Sequence, residues 1–348
     1  MSPHNRRLKR ENGFLPREPN SAAAKLLSTR GERSGTEARI SSAPGASVVP
    51  GAVVPWCRGA VVPEQYRGGT ACCRVRINMI PAIAAQALTR TFRGGFTAVD
   101  HIELAVQPGQ FFGFLGPNGA GKSTTIKMLT GLLAPTKGTV HILGEDLAAN
   151  PVEVKRNIGV VPEGMALFGR LTASEYLNFV GRMYGLDKVT TAQRSEELLE
   201  FMGLANEQKK LITDFSHGMG KKLALAAAVI HNPKVLFLDE PFEGVDAIAA
   251  GTLKAMLQGM IARGATIFLT SHVLEIVERL CTHIAIIHRG RIVANGSLDE
   301  LRDGVQARLA PGAPGEAHER LTLEQIFLAT VGSETGITHP EQELSWLK

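Results

Sequence analysis

Nine consecutive residues constrain this chain more than any others: Gly116-Pro117-Asn118-Gly119-Ala120-Gly121-Lys122-Ser123-Thr124. They follow Phe111-Phe112-Gly113-Phe114-Leu115, an apolar run that reads as a buried strand. They precede Thr125 to Leu133, where Ile126, Leu129, Leu132 and Leu133 share one side of a helix. GxxxxGK(S/T) between a strand and a helix is a phosphate-binding loop. Its glycines let backbone N–H groups point inward around a phosphate without interference from Cβ atoms. The helix N-terminus adds partial positive charge at the same place. Lys122 brings a full charge to β- and γ-phosphates, and the Ser123 hydroxyl is placed for Mg²⁺.

A second strand supplies acidic groups. Val235-Leu236-Phe237-Leu238 is continuously apolar and runs straight into Asp239-Glu240. Carboxylates directly after a fully buried strand are poorly explained as surface charge. Behind a phosphate loop, Asp239 is a candidate Mg²⁺ ligand, direct or through water. Glu240 is the candidate base that orients and deprotonates an attacking water.

Charge divides the chain. The 38 Lys/Arg and 33 Asp/Glu give a formal +5, which suggests a nucleic-acid partner. Residues 1–80, however, hold 13 Lys/Arg against 5 Asp/Glu, and residues 81–348 hold 25 against 28. The basicity is local, and no specific nucleic acid is expected. Residues 1–78 carry no sustained helical or strand period and contain three Val-Val-Pro repeats, ending at Pro50, Pro55 and Pro63. They are expected to be a disordered extension, with Met79 an alternative start. Glu11, Glu18, Glu32 and Glu37 argue against a transit peptide. Cys57 and the adjacent pair Cys72-Cys73 lack zinc-ligand spacing, and Cys281 reads as core. No apolar stretch is long enough to span a bilayer. Residues 79–305 alternate short β-branched runs with helical patterns, the sign of an α/β domain. Residues 306–348 read as a Pro/Gly linker (311–315) and a short docking helix built on Leu321, Leu323, Ile326, Phe327 and Val331.

At this point the sequence resembles the ATP-binding subunits of ABC transporters, over about residues 81–305 and on several motifs in order. Phe215-Ser216-His217-Gly218-Met219 stands where that family carries LSGGQ, at the start of a helix read as Lys221 to Ile230. Ser216 and Gly218 match; His217 and Met219 depart. Taken alone, Ser216 reads as a plain N-cap. Phe92 resembles the aromatic that stacks on adenine, and a loop or core phenylalanine is the plainer reading. Phe242-Glu243-Gly244-Val245-Asp246 resembles the loop whose aspartate, here Asp246, couples two sites across a dimer. His272, after a strand read as Ala265 to Leu269, resembles the histidine that contacts the γ-phosphate. Glu163, after the strand Ile158 to Val161, stands where the family usually has glutamine. It retains the capacity to ligate Mg²⁺ and adds negative charge near the γ-phosphate. Pro162-Glu163 with Leu167-Phe168 resembles an exporter-type subset.

The resemblance implies a P-loop NTPase (RecA-like) fold: a mixed-sheet α/β core, an inserted helical subdomain at about 165–215, and a small antiparallel β region. It implies ATP and Mg²⁺ as cofactors, with Glu240, His272 and Glu163 catalytic. Gly116–Thr124, Phe92, Ser216, Gly218 and Asp246 would bind nucleotide, and Ser123, Asp239 and Glu163 the metal. One phosphate loop per chain implies a homodimer or a heterodimer with a paralogue, sandwiching two ATP. A separate integral-membrane permease would dock on the helical subdomain, whose apolar faces read as Val180, Met183, Tyr184 and Leu186, then Leu198, Leu199, Phe201 and Met202. The chain would then lie peripherally on the cytoplasmic face of the inner (plasma) membrane. A soluble regulatory ATPase of the same family is the alternative. A translation ATPase would carry a second phosphate loop, and a P-loop kinase would leave Phe215–Met219 and His272 unexplained. A chromosome-maintenance ATPase would place a long coiled coil in the 117 positions between Lys122 and Asp239.

Overall fold

The computed structural model describes residues 80–165, 167–309 and 321–335. The Val-Val-Pro repeats, Met79, Cys57, Cys72, Cys73 and the 311–315 linker lie outside the described residues. In chain order the elements are β1 (Ile83–Thr91), β2 (Thr97–Val106), β3 (Phe111–Leu115), α1 (Lys122–Leu129), β4 (Lys137–Ile142), β5 (Glu145–Asp146), α2 (Pro151–Asn157), β6 (Ile158–Val161), α3 (Ala173–Met183) and α4 (Lys188–Phe201). They continue with α5 (His217–Val229), β7 (Val235–Asp239), α6 (Ala247–Ala262), β8 (Thr266–Ser271), α7 (Leu274–Leu280), β9 (His283–His288), β10 (Arg291–Ser297), α8 (Leu298–Leu309) and α9 (Leu323–Thr335).

Two sheets form. The larger has the order β10-β9-β3-β8-β7-β6. Its strands β9, β3, β8, β7 and β6 are parallel, with β10 antiparallel on β9. The smaller, β2-β1-β4-β5, is antiparallel throughout. Parallel strands covered on both faces read as unbroken apolar runs, which is what β3 and β7 show. Side chains alternate across the sheet. Phe111 and Leu115 therefore join a core shared with α3–α9, while Phe112 and Phe114 join the core under α1 and the small sheet. Phe268 of β8 centres the second core, with ring centroids 5.6, 5.4 and 5.7 Å from Phe112, Phe114 and Phe237.

Register positions the chemistry. Leu115 pairs with Ser271, Asp239 with Thr270, and Val161 with Leu238. The segments leaving the carboxyl ends of β3, β7, β8 and β6 therefore emerge side by side, where open α/β sheets bind ligands. They carry the phosphate loop, Asp239-Glu240, His272 and Glu163.

Several boundaries differ from the sequence reading. α1 starts at Lys122 and ends at Leu129, because Gly131 turns left-handed (φ 69) and the chain leaves the helix, so Leu132 is 63% exposed. α5 starts at His217, not Lys221, because Ser216 caps it by accepting from the Met219 amide at 3.2 Å. The strand read from Ala265 runs from Thr266 to Ser271. Of the apolar faces read in the helical region, Met183 and Phe201 are exposed, whereas Leu199 and Met202 are buried. Thr172 and Glu175 form a capping box on α3, and Asp187 caps α4. α8 runs across position 305 with Val305 buried. The tail helix is present as α9, with Leu323 and Ile326 fully buried against the core. Among the described residues, no helix is long and apolar enough to cross a membrane.

Candidate functional site

A cleft of about 490 Å³ opens at the carboxyl ends of β3 and β8, lined by the phosphate loop, Phe92, Glu163, Glu240 and His272 among others. Sterics build its floor. A Cβ on Gly116 would lie 2.4 Å from the Ile287 carbonyl oxygen of β9. A Cβ on Gly121 would lie 2.6 Å from that of Ala98, and Gly121 also sits at φ 111. Only glycine allows the loop to pass this close to two strands. Gly116 and Ala120 are buried beneath the loop, while Asn118 and Gly119 are exposed at its mouth. Pro117 accepts from the Ala120 amide at 3.1 Å, which closes the turn.

Lys122 is 6% exposed and folds over its own loop, donating to the Gly116 carbonyl at 2.8 Å. Its Nζ stands 3.7 Å from Oε1 of Glu240. The other oxygen of that carboxylate is held by His272, through Nδ1 at 3.0 Å and the main-chain amide at 3.2 Å. Glu240 thus bridges the lysine of one loop and the histidine of another. Its backbone is left-handed (φ 49), a conformation non-glycine residues adopt at a cost of about 1–3 kcal/mol. Asp239 is buried; its Oδ1 accepts from Thr270 at 2.6 Å and lies 3.4 Å from the Ser123 hydroxyl, which is also 3.5 Å from Oε2 of Glu163.

Phe92 is half-exposed at the rim, one ring face covered by the Arg90 guanidinium 4.8 Å away. Arg90 is tied down in turn by donation to the Ala134 carbonyl at 2.8 Å. Ser216, Gly218 and Asp246 do not line this cleft. Asp246 caps α6, accepting from the Ala249 and Ile248 amides at 2.8 and 2.9 Å, and the bond from Ala249 leads in holding its carboxyl below the usual range. A Cβ on Gly218 would lie 3.4 Å from Oδ2 of Asp246, so the start of α5 and this cap form a second cluster.

Sequence reasoning passed over Phe96 and Glu243, which line the cleft, and Thr270, which orients Asp239. Phe96 is 65% exposed on the same turn as Phe92, closed by donation from the Phe92 amide to the Phe96 carbonyl at 2.8 Å. An unpatterned aromatic beside a Gly-Gly pair was the available signal.

Comparison with known proteins agrees with this architecture. Residues 99–243 match the family model described as ABC transporter. The chain is 40% identical over 222 residues to the Nod factor export ATP-binding protein I of Cupriavidus metallidurans, covering 64% of this chain and 73% of that protein. It is 34% identical over 251 residues to the daunorubicin/doxorubicin resistance ATP-binding protein DrrA of Streptomyces peucetius, covering 72% and 76%. A solved structure of the ATP-binding subunit of an ABC transporter superposes with a TM-score of 0.65 at 30% identity, covering 72% of this chain and 99% of that one. The chain belongs to the ATP-binding subunits of ABC transporters, and ATP hydrolysis coupled to transport is its activity.

Proposed function

We propose that this chain powers an exporter, working as one half of a two-ATP dimer docked on a separate integral-membrane permease at the cytoplasmic face of the inner membrane. Export is favoured by its likeness to subunits named for Nod factor export and for daunorubicin/doxorubicin resistance. On this reading residues 79–305 are the nucleotide-binding domain. Residues 165–215 form its helical subdomain, where the permease docks, and 306–348 a linker and tail helix.

The observation that carries the site assignment is the position of the Glu240 carboxylate, gripped between Lys122 and His272. Lys122 is then the ligand of β- and γ-phosphates, Glu240 the base for the lytic water, and His272 the group that orients both base and γ-phosphate. Gly116–Thr124 wrap the phosphates, and Phe92 offers its uncovered face to adenine. The Ser123 hydroxyl, Asp239 and Glu163 bring hard oxygens to one place, a donor set that suits Mg²⁺, which needs few protein ligands when phosphates complete its shell. Mg²⁺ would supply charge neutralisation on the phosphates. Ser216, Gly218 and Asp246, apart from the cleft of their own chain, would serve the nucleotide held by the second subunit.

Purified protein should hydrolyse ATP when Mg²⁺ is present. Glu240→Gln should lower kcat by at least ~100-fold, within the range for losing a general base, and accumulate an ATP-bound dimer in size-exclusion chromatography. Steady turnover by that variant would sink the base assignment.

A further inference from the structure

Two side chains of α5 reach the turn that carries Glu240. Lys221 is 2% exposed, and its Nζ donates to the main-chain oxygen of Glu240 at 3.0 Å. One helical turn earlier, Nε2 of His217 lies 3.2 Å from the main-chain oxygen of Glu243. The His217 ring also occupies the space beside Gly244, where a Cβ would meet Cδ2 at 3.0 Å. Residues four apart share a helix face, so both contacts come from one side of α5.

The turn needs such support. Glu240 and Gly244 are both left-handed, at φ 49 and φ 65. The Glu240 amide donates to the Thr270 carbonyl and hydroxyl, each at 3.2 Å, which ties its amino side to β8. Its carbonyl side is held by Lys221 and by the Glu243 amide at 3.3 Å. Burial lowers the pKa of Lys221, opposed by the charges of Glu243, Glu163, Asp239 and Glu240. Those carboxylates favour the ammonium form in a place that otherwise disfavours it.

We infer that His217 and Lys221 form a two-point clamp that fixes the main chain of Glu240 on α5 and so sets the reach of its carboxylate into the cleft. Neither residue lines the cleft, so both are positioning residues. α5 also packs against α3 and α4, and the clamp therefore passes a displacement of that helix pair to Glu240 within one chain. The inference rests on the reading of Glu240 as the base.

The test is Mg·ATP turnover by the purified full chain, with ATP Kd from equilibrium titration and folding checked by thermal melting. Lys221→Met keeps the buried stem and removes the donor; His217→Ala removes the second contact from an exposed side chain; His217→Gln restores a nitrogen donor. A misplacement on the order of 1 Å costs up to ~100-fold. Lys221→Met should therefore lose at least ~10-fold in kcat and His217→Ala roughly 3-fold or more, with Kd within about twofold and His217→Gln near wild type. Wild-type kcat in His217→Ala and in folded Lys221→Met would overturn the clamp, as would a Kd that rises in step with the loss. If Lys221→Met does not fold, the pair His217→Ala and His217→Gln decides alone. Glu240→Gln is measured alongside. An inactive Glu240→Gln with unimpaired clamp variants refutes the clamp only, whereas an active Glu240→Gln removes the base reading beneath it.

Discussion

Three glycines of the phosphate loop separate two physical effects that are usually confounded. Gly116 has no left-handed backbone but no room: a Cβ there would sit 2.4 Å from the Ile287 oxygen and 2.8 Å from its Cγ2. Gly119 has room, with nothing within 4 Å, but a left-handed φ of 79. Gly121 has both problems, φ 111 and an oxygen at 2.6 Å. Left-handed backbone costs an alanine about 1–2 kcal/mol. Overpacking against strands costs about 1–3 kcal/mol, and β9 cannot retreat because β3 and β10 hold it on both sides. Gly119→Ala should thus lose about 1–2 kcal/mol, Gly116→Ala about 1–3, and Gly121→Ala about 2–5 if the terms add. At roughly 2–4 °C per kcal/mol for a domain of this size, thermal melting should rank Gly121→Ala lowest by several degrees. ATP titration should show a different division. Gly119→Ala bends only the exposed mouth and should weaken binding by less than about tenfold, whereas Gly116→Ala displaces the loop against the sheet and should abolish measurable binding. Equal Tm losses for Gly119→Ala and Gly121→Ala, or wild-type ATP affinity in Gly116→Ala, would refute the steric argument.

His231 stacks on Tyr184 at 3.6 Å, and its Nε2 donates to the Ile158 carbonyl at 2.9 Å while Nδ1 is buried without a partner. Burial depresses its pKa to about 4. The unfolded chain binds the proton first, so this contribution to stability is complete above about pH 6.5 and is lost as pH falls from there towards 4. Its ceiling is roughly 3 kcal/mol, reduced by solvent at the exposed edge. Urea unfolding at pH 7 and 5 should show the loss, and His231→Gln should flatten it; an unchanged slope would exclude His231 as its source. Ile326→Ala in α9 should cost about 2–5 kcal/mol of local packing and raise proteolysis of the tail, while kcat for ATP stays within twofold. For Glu163→Gln, removing a charge at roughly 5 Å in water is worth about 0.8 kcal/mol, about fourfold. Metal-free ATP should bind tighter and the half-saturating Mg²⁺ concentration should rise, both by isothermal titration; no change in either would make the carboxylate neutral.

β3 and β7 were legible because parallel strands covered on both faces leave an unbroken apolar run, which here leads into Gly116 and into Asp239-Glu240. Helix ends were less legible. Leu132 and Leu133 continue the period of α1, but the left-handed Gly131 ends it first, and periodicity carries no record of backbone handedness. Met183 and Phe201 fit a helical stripe yet face solvent, since a stripe states that a face is apolar and not that this chain covers it. Lys221 was hidden for the opposite reason. In Lys221-Lys222 it reads as a solvated pair, and only the packing of α5 on the turn after β7 buries one member and leaves the other partly exposed. Such a distinction depends on a contact nineteen positions away.

The charge distribution gains a mechanical meaning from the same contacts. The excess of acid beyond residue 80 is not spread evenly: Asp239, Glu240, Glu163 and Glu243 gather around one cleft whose lining includes no Lys or Arg besides Lys122. On the proposed function, an anionic nucleotide entering such a cleft would meet these carboxylates; among further cations, Arg90 stands over Phe92 at the rim and Lys221 is buried behind the Glu240 turn. On that reading a cation arriving with the nucleotide would lower the repulsion, and ATP should bind more tightly with Mg²⁺ than without it in an equilibrium titration. Lys221 does not line the cleft and donates to the Glu240 main-chain oxygen, so it acts on the turn. Lys122 and Lys221 therefore divide the work. On the proposed roles, the first would exchange Glu240 for phosphate when the cleft fills, and the second would keep the Glu240 main chain in place.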